Sequence, residues 1–175
     1  MSQSVVQENP MRAIRVGKVV LNIGVGKSGD AIERGKKVLE QVSGHTPSPR
    51  RAKKSIRDFG VHEGEPIGVM VTVRGAGTKE LIEKLLVARE KKLEGSCFDP
   101  RGSVSFGVKE HIEIPGIRYD PAIGILGMNV SVLLERAGYR VARRGRRTSK
   151  VGKAHFVSKD DALAYFRDNF GVTVL

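Results

Sequence analysis

In residues 15–25, RVGKVVLNIGV, successive side chains alternate between an apolar set and a more polar set, and this pattern determines the first element of the fold. One face carries Val19, Leu21, Ile23 and Val25, and the other carries Lys18, Val20, Asn22 and Gly24. Such period-two alternation predicts a strand with one buried face. Residues 28–44, SGDAIERGKKVLEQVSG, change to helical spacing, with Ser28 or Asp30 able to cap the start and Gly44 ending the helix. The chain therefore opens with a strand, a glycine-rich turn and an amphipathic helix.

The remaining segments continue to mix the two periods. Residues 58–75, DFGVHEGEPIGVMVTVRG, predict two strands joined by a turn at residues 62–66, and a helix opens at Thr78. Residues 102–114 and 128–135 predict further strands, and Ser158 opens a last helix with Asp161 as its capping-box acid. The pattern predicts an α+β fold. We expect an antiparallel or mixed sheet of about five strands, with three to four helices on one face and a more polar second face.

The composition is that of a folded and strongly basic protein. The chain has 175 residues with 39% hydrophobic content, which suits one domain with its own core. No apolar run is long enough to cross a membrane, the first residues lack the apolar block of a secretory signal, and Cys97 is the only cysteine. We therefore expect a single domain over residues 1–175, without a disulfide, in the cytoplasm.

The net charge of +12 is concentrated in two segments. Residues 50–57, RRAKKSIR, hold five basic residues, residues 136–153 hold eight, and neither segment contains an acid. The rest of the chain has 18 basic and 19 acidic residues. Such segregation indicates a polyanionic partner, although two merely solvated charge runs would look the same. Residues 136–153 are too cationic to pack in a core and have too few apolar residues at helical spacing to lie in a membrane interface. We expect them to protrude and to bind nucleic acid.

The motif GVGKS at residues 24–28 resembles the end of a phosphate-binding P-loop, but its context argues against one. The first glycine of that motif should stand at residue 21, where the chain has Leu21, and no convincing strand ends in an aspartate that could hold magnesium. The glycines can simply form a tight turn between strand and helix. They can also let an RNA backbone approach closely, with Asn22, Gly24 and Lys27 as contacts.

Catalytic and metal-binding patterns are sparse. The four histidines are scattered without metal-ligand spacing, and no nucleophile with a neighbouring base can be argued. We expect a binding protein that is not an enzyme, with no metal and no cofactor. Aromatic content is only 5%, too little for rows of base-stacking side chains, so folded RNA is a better partner than single strands.

Several long motifs, in order, resemble one known family. They are VVLNIGVGKSGD, LEQVSGHTPSPRRAKKSIRDFGVHEGEPIGVMVTVRG, DPRGSVSFGVKEHIEIPGIRYDPAIGILGMNV and ERAGYRVARRGRRTSKVG, within residues 8–175. They resemble the universal large-subunit ribosomal protein L-five family in its archaeal and eukaryotic-type form. The resemblance implies an antiparallel sheet flanked by helices. It also implies a cytoplasmic ribosomal protein of the central protuberance that binds 5S ribosomal RNA, large-subunit rRNA and neighbouring ribosomal proteins.

The resemblance also implies which residues face RNA. The implied 5S rRNA contacts are Asn22, Gly24, Ser43, His45, Thr46, Arg50, Arg51, Lys53, Lys54, Ser55, Thr72 and Arg74. The segment at residues 56–64 resembles a hairpin that approaches P-site tRNA, through Arg57, Phe59, Val61 and His62. Within the basic segment the implied rRNA contacts are Arg140, Arg143, Arg144, Arg146, Arg147, Lys150 and Lys153. A free-standing module for structured RNA remains the main alternative, ahead of a P-loop enzyme.

Overall fold

The computed structural model describes residues 9–26 and 29–175 as an α+β fold, which confirms the predicted class. Five strands form an antiparallel sheet: β1 (Ile14–Gly24), β2 (Ser48–Arg51), β3 (Pro66–Val73), β5 (Ser103–Val108) and β6 (Met128–Arg136). Their order in the sheet is β2–β3–β1–β6–β5. A parallel pair joins β4 (Lys92–Leu93) to β7 (Thr173–Val174). The helices are α1 (Asp30–Ser43), α2 (Thr78–Val87) and α3 (Lys159–Phe170). None of the helices in the described residues is long and apolar enough to cross a membrane.

The core lies between the helices and one face of the sheet, as the strand alternation predicts. Leu21 at the centre of β1 is fully buried, together with its neighbours at residues 19 and 23. The helices add their apolar stripes, including Leu39 of α1 and Leu85 of α2. Phe166 of α3 packs edge-on against Phe98 at a centroid distance of 5.7 Å. The buried position of Leu21 in mid-strand is incompatible with the first glycine of a P-loop.

The turn between β1 and α1 depends on glycine. Gly26 and Gly29 adopt φ angles of +74° and +94°, a region that residues other than glycine rarely occupy. Gly29 is the N-cap and Asp30 is already helical, so the expectation that Asp30 caps the helix is wrong. The alternative cap, Ser28, lies outside the described residues, as does the predicted contact Lys27.

The predicted hairpin within residues 58–75 is wrong in its first strand. Only the second strand forms, as β3, and it pairs antiparallel with β2 on one side and with β1 on the other. Residues 56–61 make a small loop instead, in which Ile56 and Val61 exchange backbone hydrogen bonds of 2.9 and 3.1 Å around a 3₁₀ turn. The strand β2 contains Pro49, which a sheet tolerates because β2 is an edge strand and needs no ladder bond from that residue.

The sequence predicts that the cationic residues 136–153 protrude, but the first of them packs into the fold. Arg136 is the last residue of β6, and its side chain is only 14% exposed. Its guanidinium donates to Asp161 Oδ2 at 2.8 Å, so the charge is paired. The capping box predicted at the start of α3 is present. Ser158 Oγ accepts from the Asp161 backbone N–H at 3.1 Å, and Asp161 Oδ2 accepts from the Ser158 N–H at 3.1 Å.

Candidate nucleic-acid interface

The face of the sheet opposite the helices is small, polar and nearly uncharged. The strand register places one row across all five strands, made of Ser48, Met70, Asn22, Asn129 and Gly107. The next row is made of Thr72, Val20, Ser131 and Ser105. We call these two rows the open sheet face. Asn22 and Thr72, two of the predicted contacts, are therefore neighbours on one surface.

One edge of the open sheet face carries an arginine beside two glycines. Arg50, Gly68 and Gly24 are register partners on β2, β3 and β1. A Cβ atom on Gly68 would lie 3.0 Å from the carbonyl oxygen of Ile23, so a larger residue is hard to fit there. Because the two glycines in this row have no side chains, a nucleic-acid backbone can come close to the strands beside Arg50. Arg74 is exposed just after the end of β3.

The turn after α1 uses some of its predicted contacts for its own structure. Ser43 Oγ donates to the Leu39 carbonyl at 2.6 Å and accepts from the His45 backbone N–H at 3.2 Å. His45 Nδ1 lies 2.9 Å from the Ser43 carbonyl oxygen. Gly44, with φ +65°, ends the helix as the sequence predicts. Thr46 and the outer edge of the His45 ring remain exposed to a ligand, whereas the Ser43 hydroxyl proton is already engaged.

Residues 50–57, which we call the basic loop, carry exposed cations on a braced backbone. The Ala52 N–H donates to the Glu65 carbonyl at 2.8 Å, and the Ala52 carbonyl accepts from the Gly64 N–H at 3.0 Å. Ser55 Oγ accepts from the Glu63 N–H at 2.9 Å, so this predicted contact also holds the loop. In the described part of the chain no carboxylate lies within 4.0 Å of the charged groups of Arg50, Arg51, Lys53, Lys54 and Arg57.

An apolar groove of about 670 Å³ separates the basic loop from the ends of β1 and β3. Two of the residues predicted to approach tRNA, Phe59 and Val61, line it together with Ile56. The Phe59 residue is 76% exposed, which is unusual for a phenylalanine. The other two predicted residues, Arg57 and His62, are exposed but do not line the groove.

The basic segment, residues 136–153, is tied to the rest of the fold near both of its ends. Glu135, which is 7% exposed, forms ion pairs with Arg15 at 3.5 Å and with Arg143. The Tyr139 hydroxyl donates to the His155 carbonyl at 3.2 Å and accepts from the Val157 N–H at 3.1 Å. These contacts hold the segment in place from within the protein. The predicted contact Arg143 therefore has a structural partner, which residue spacing alone did not reveal.

The outer part of the basic segment keeps its charges available. Arg144 Nε donates to the Arg147 carbonyl at 2.7 Å and so shapes the turn, in which Arg147 adopts a φ of +51°. Within the residues that the structure describes, no carboxylate lies within 4.0 Å of the charged groups of Arg140, Arg144, Arg146, Arg147, Lys150 and Lys153. All six are exposed.

The structure adds polar residues to the open sheet face that were not among the predicted contacts. Asn129 and Ser131 of β6 lie in the same rows as Asn22 and Thr72, and Ser105 of β5 accompanies them. The alternation in residues 128–135, MNVSVLLE, contains the signal, because its polar positions fall on the face opposite Val130.

These features define a class of protein. Its sheet has a largely polar face without catalytic groups, and its chain carries two exposed cationic segments, which is typical of a protein that binds a polyanion. In residues 9–26 and 29–175, no group of three or more His, Cys, Asp or Glu side chains could hold a metal ion.

Comparison with known proteins identifies the family. The family model described as ribosomal protein L5 matches residues 9–62, and the model for the C-terminus of the same ribosomal family matches residues 66–162. The chain belongs to the ribosomal protein L5 family, whose members are structural proteins and not enzymes, as the sequence predicts.

Similar proteins match along nearly their whole length. The large ribosomal subunit protein uL5 of Nitrosopumilus maritimus (strain SCM1) is 51% identical over 95% of this chain and 96% of its own. The protein of the same name from Pyrobaculum aerophilum is 48% identical over 97% of this chain and 94% of its own. That from Sulfolobus acidocaldarius is 43% identical over 99% of this chain and 97% of its own.

Proposed function

We propose that this protein is a constituent of the large ribosomal subunit in the cytoplasm, where it binds 5S rRNA and helps attach it in the central protuberance. The names of its relatives support the assignment to the large subunit. The observation that carries the 5S proposal is the continuity between the open sheet face and the basic loop. Arg50 joins the two, because it is the first residue of the basic loop and lies at the edge of the open sheet face, on β2 two residues beyond Ser48 of the first row.

The proposed binding mechanism combines charge with close fit. The exposed cations of the basic loop neutralise phosphates and release counterions, which makes the affinity depend steeply on salt. The small amides and hydroxyls of the open sheet face then contact sugars and base edges, which fix the register of the RNA. The glycines at residues 24 and 68 let the RNA backbone approach the strands.

The basic segment, we propose further, binds large-subunit rRNA. Its exposed cations are displayed on a backbone that the Glu135 and Tyr139 contacts already hold. Prior ordering lowers the entropy cost of binding, so these cations contribute more affinity than a disordered tail with the same charge. Neighbouring ribosomal proteins of the central protuberance complete the proposed set of partners.

A contact with P-site tRNA is the least direct part of the proposal, and the apolar groove supports it. Phe59 offers an exposed ring for stacking, and Arg57 lies two residues away to meet a phosphate. We expect Phe59→Ala to weaken tRNA binding to large subunits that contain the protein, while 5S rRNA binding by the free protein is unchanged. If large subunits with the wild-type protein and large subunits with Phe59→Ala bind tRNA equally well, the proposed tRNA contact is wrong.

Filter binding to 5S rRNA at several salt concentrations tests the basic loop. In the triple variant Arg51→Ala, Lys53→Ala and Lys54→Ala we expect weaker binding. The salt slope should be shallower by roughly 0.7 to 0.9 for each lost phosphate contact. The matched control replaces Lys79, Lys84 and Arg167 by alanine, which removes the same charge from exposed sites on α2 and α3. Equal slopes in the two triple variants would contradict the proposed role of the basic loop.

Sedimentation separates a ribosomal constituent from a free-standing RNA-binding module. On a sucrose gradient of cell extract, the protein should migrate with large subunits and remain there after a high-salt wash. A protein found only in the light fractions would favour the free-standing module.

A further inference from the structure

A cleft of about 460 Å³ lies at one end of the open sheet face. Its lining includes Asn22, Asn129 and Gly107 of the first row, together with Gly24, Arg89 and Lys109. The volume is within the range of pockets that hold small ligands, roughly 300 to 1,000 Å³. The cleft is continuous with the surface that we assign to 5S rRNA, so an occupant can be part of that RNA.

The two asparagines present free amide groups to the cleft. Asn22 and Asn129 are register partners on β1 and β6. Neither side chain makes a hydrogen bond to any residue that the structure describes. Gly107 lies opposite Asn129 on β5 and has no side chain to cover the amide. A Cβ atom at this position would already be in van der Waals contact with Asn129 Oδ1, at 3.7 Å. Paired donors and acceptors of this kind match the edge of a nucleobase.

Two cations border the same cleft. Arg89 follows α2, and Lys109 follows β5. Among the described residues, no carboxylate lies within 4.0 Å of either charged group. Arg89 and Lys109 also line a second cavity, together with Glu90, Glu94 and Glu113. None of the described residues that line the cleft itself is acidic, so a phosphate is favoured on the side where the asparagines lie.

We propose that the cleft takes one unpaired nucleotide of 5S rRNA. Its base meets the amides of Asn22 and Asn129, and its phosphate lies beside Arg89 and Lys109. This inference rests on the proposed binding of 5S rRNA and adds direct base recognition to it. Extruded bases of folded RNA are commonly recognised by hydrogen bonds to their exposed edges, whereas phosphate contacts set position without reading sequence.

An abasic scan of 5S rRNA tests the cleft. Each unpaired nucleotide is replaced in turn by an abasic one, and the Kd is measured for the wild type and for Asn129→Ala. We expect one position, or two adjacent ones, at which base removal weakens wild-type binding by roughly five- to a hundredfold. The same removal should have little further effect on Asn129→Ala. The salt slope of Asn129→Ala should equal that of the wild type, because no phosphate contact is lost.

Two further variants make the test independent of one substitution. Gly107→Val occupies space beside Asn129 with a residue that suits a strand, and it should abolish the effect at the same position. Asn169→Ala makes the matched amide deletion at an exposed site on α3, and it should behave as the wild type. Thermal unfolding of each variant identifies any that does not fold, in which case the remaining cleft variant decides.

The outcomes separate this inference from the function on which it rests. If the protein binds 5S rRNA specifically but every abasic position has equal effects with and without the cleft variants, the cleft assignment is wrong and the function stands. If the wild type binds 5S rRNA no better than an unrelated folded RNA, the proposed function fails and the cleft assignment fails with it.

Discussion

The hydroxyl of Tyr139 links the two ends of the basic segment, beside a second contact between His155 Nε2 and the Ala137 carbonyl at 2.7 Å, and its removal gives a defined prediction. It accepts a hydrogen bond from the Val157 backbone N–H and donates one to the His155 carbonyl. Tyr139→Phe deletes this oxygen alone. The edge-on ring contacts with His155 and Phe156, at centroid distances of 5.9 and 6.0 Å, remain available to phenylalanine.

The magnitude follows from the burial of Val157, which is fully inaccessible to solvent. Its N–H loses its acceptor in the variant, and a buried donor without a partner costs about 1 to 3 kcal/mol. For a chain of this length each kcal/mol lowers the melting temperature by roughly 2 to 4 °C. Tyr139→Phe should therefore melt about 2 to 12 °C below the wild type.

Calorimetry and amide exchange provide the assay, with Tyr119→Phe as the control. The Tyr119 residue is 54% exposed, and its hydroxyl makes no hydrogen bond within the described part of the chain, so its loss should be neutral. In Tyr139→Phe the Val157 amide should exchange faster. Affinity for rRNA should fall with an unchanged salt slope, because every cation is still present. Equal melting temperatures and equal Val157 protection in the two variants would show that this hydroxyl does not hold the basic segment.

Three further predictions concern the framework around the site. Ser158→Ala removes the N-cap of α3 and should lower the free energy of unfolding by about 1 kcal/mol in a urea titration; an unchanged midpoint would exclude a role for the capping box. The Ser158 backbone N–H, with help from Arg136 and against the effect of burial, holds the pKa of Asp161 below its ordinary value of 3.8. The stabilisation is complete above pH 3.8 and is lost as the pH falls through the lower folded value, so urea midpoints should drop on acidification less steeply in Asp161→Asn. Gly17→Ala places a Cβ atom 2.6 Å from Glu135 Cδ. Because the Glu135 side chain is 9% exposed and can move only by disturbing its ion pairs with Arg15 and Arg143, the variant should be destabilised by about 1 to 3 kcal/mol, measured by thermal unfolding.

Local periodicity was sufficient to predict the central strands and the three helices. Leu21 and Val71 are buried because apolar residues at every second position meet one layer of helices. The start of α3 was equally readable, since a capping box is a contact between residues three apart. Strands, helices and caps that depend on residues close in sequence could thus be predicted from the sequence alone.

Strand pairing, ion pairs and surface neighbours that depend on residues far apart in sequence could not be predicted from local patterns. A proline at residue 49 is unfavourable in a strand, yet β2 forms because β3 supplies the hydrogen bonds and the edge position tolerates the proline. The sequence does not indicate that Arg143 is paired, because the fold brings its partner Glu135 beside it. Asn129 belongs to the candidate site because the strand register places it opposite Asn22, a pairing that residue spacing does not show.

Chemical footprinting of 5S rRNA with the purified protein tests most directly whether the open sheet face binds RNA. Ser131→Glu places an acid at the exposed centre of that face, and Ala164→Glu places the same charge at an exposed site on α3. We expect the wild type and Ala164→Glu to protect the same nucleotides. Ser131→Glu should lose that protection and bind about tenfold or more weakly, because the added charge faces phosphates. Equal protection by all three folded proteins would contradict the assignment of 5S rRNA to the open sheet face.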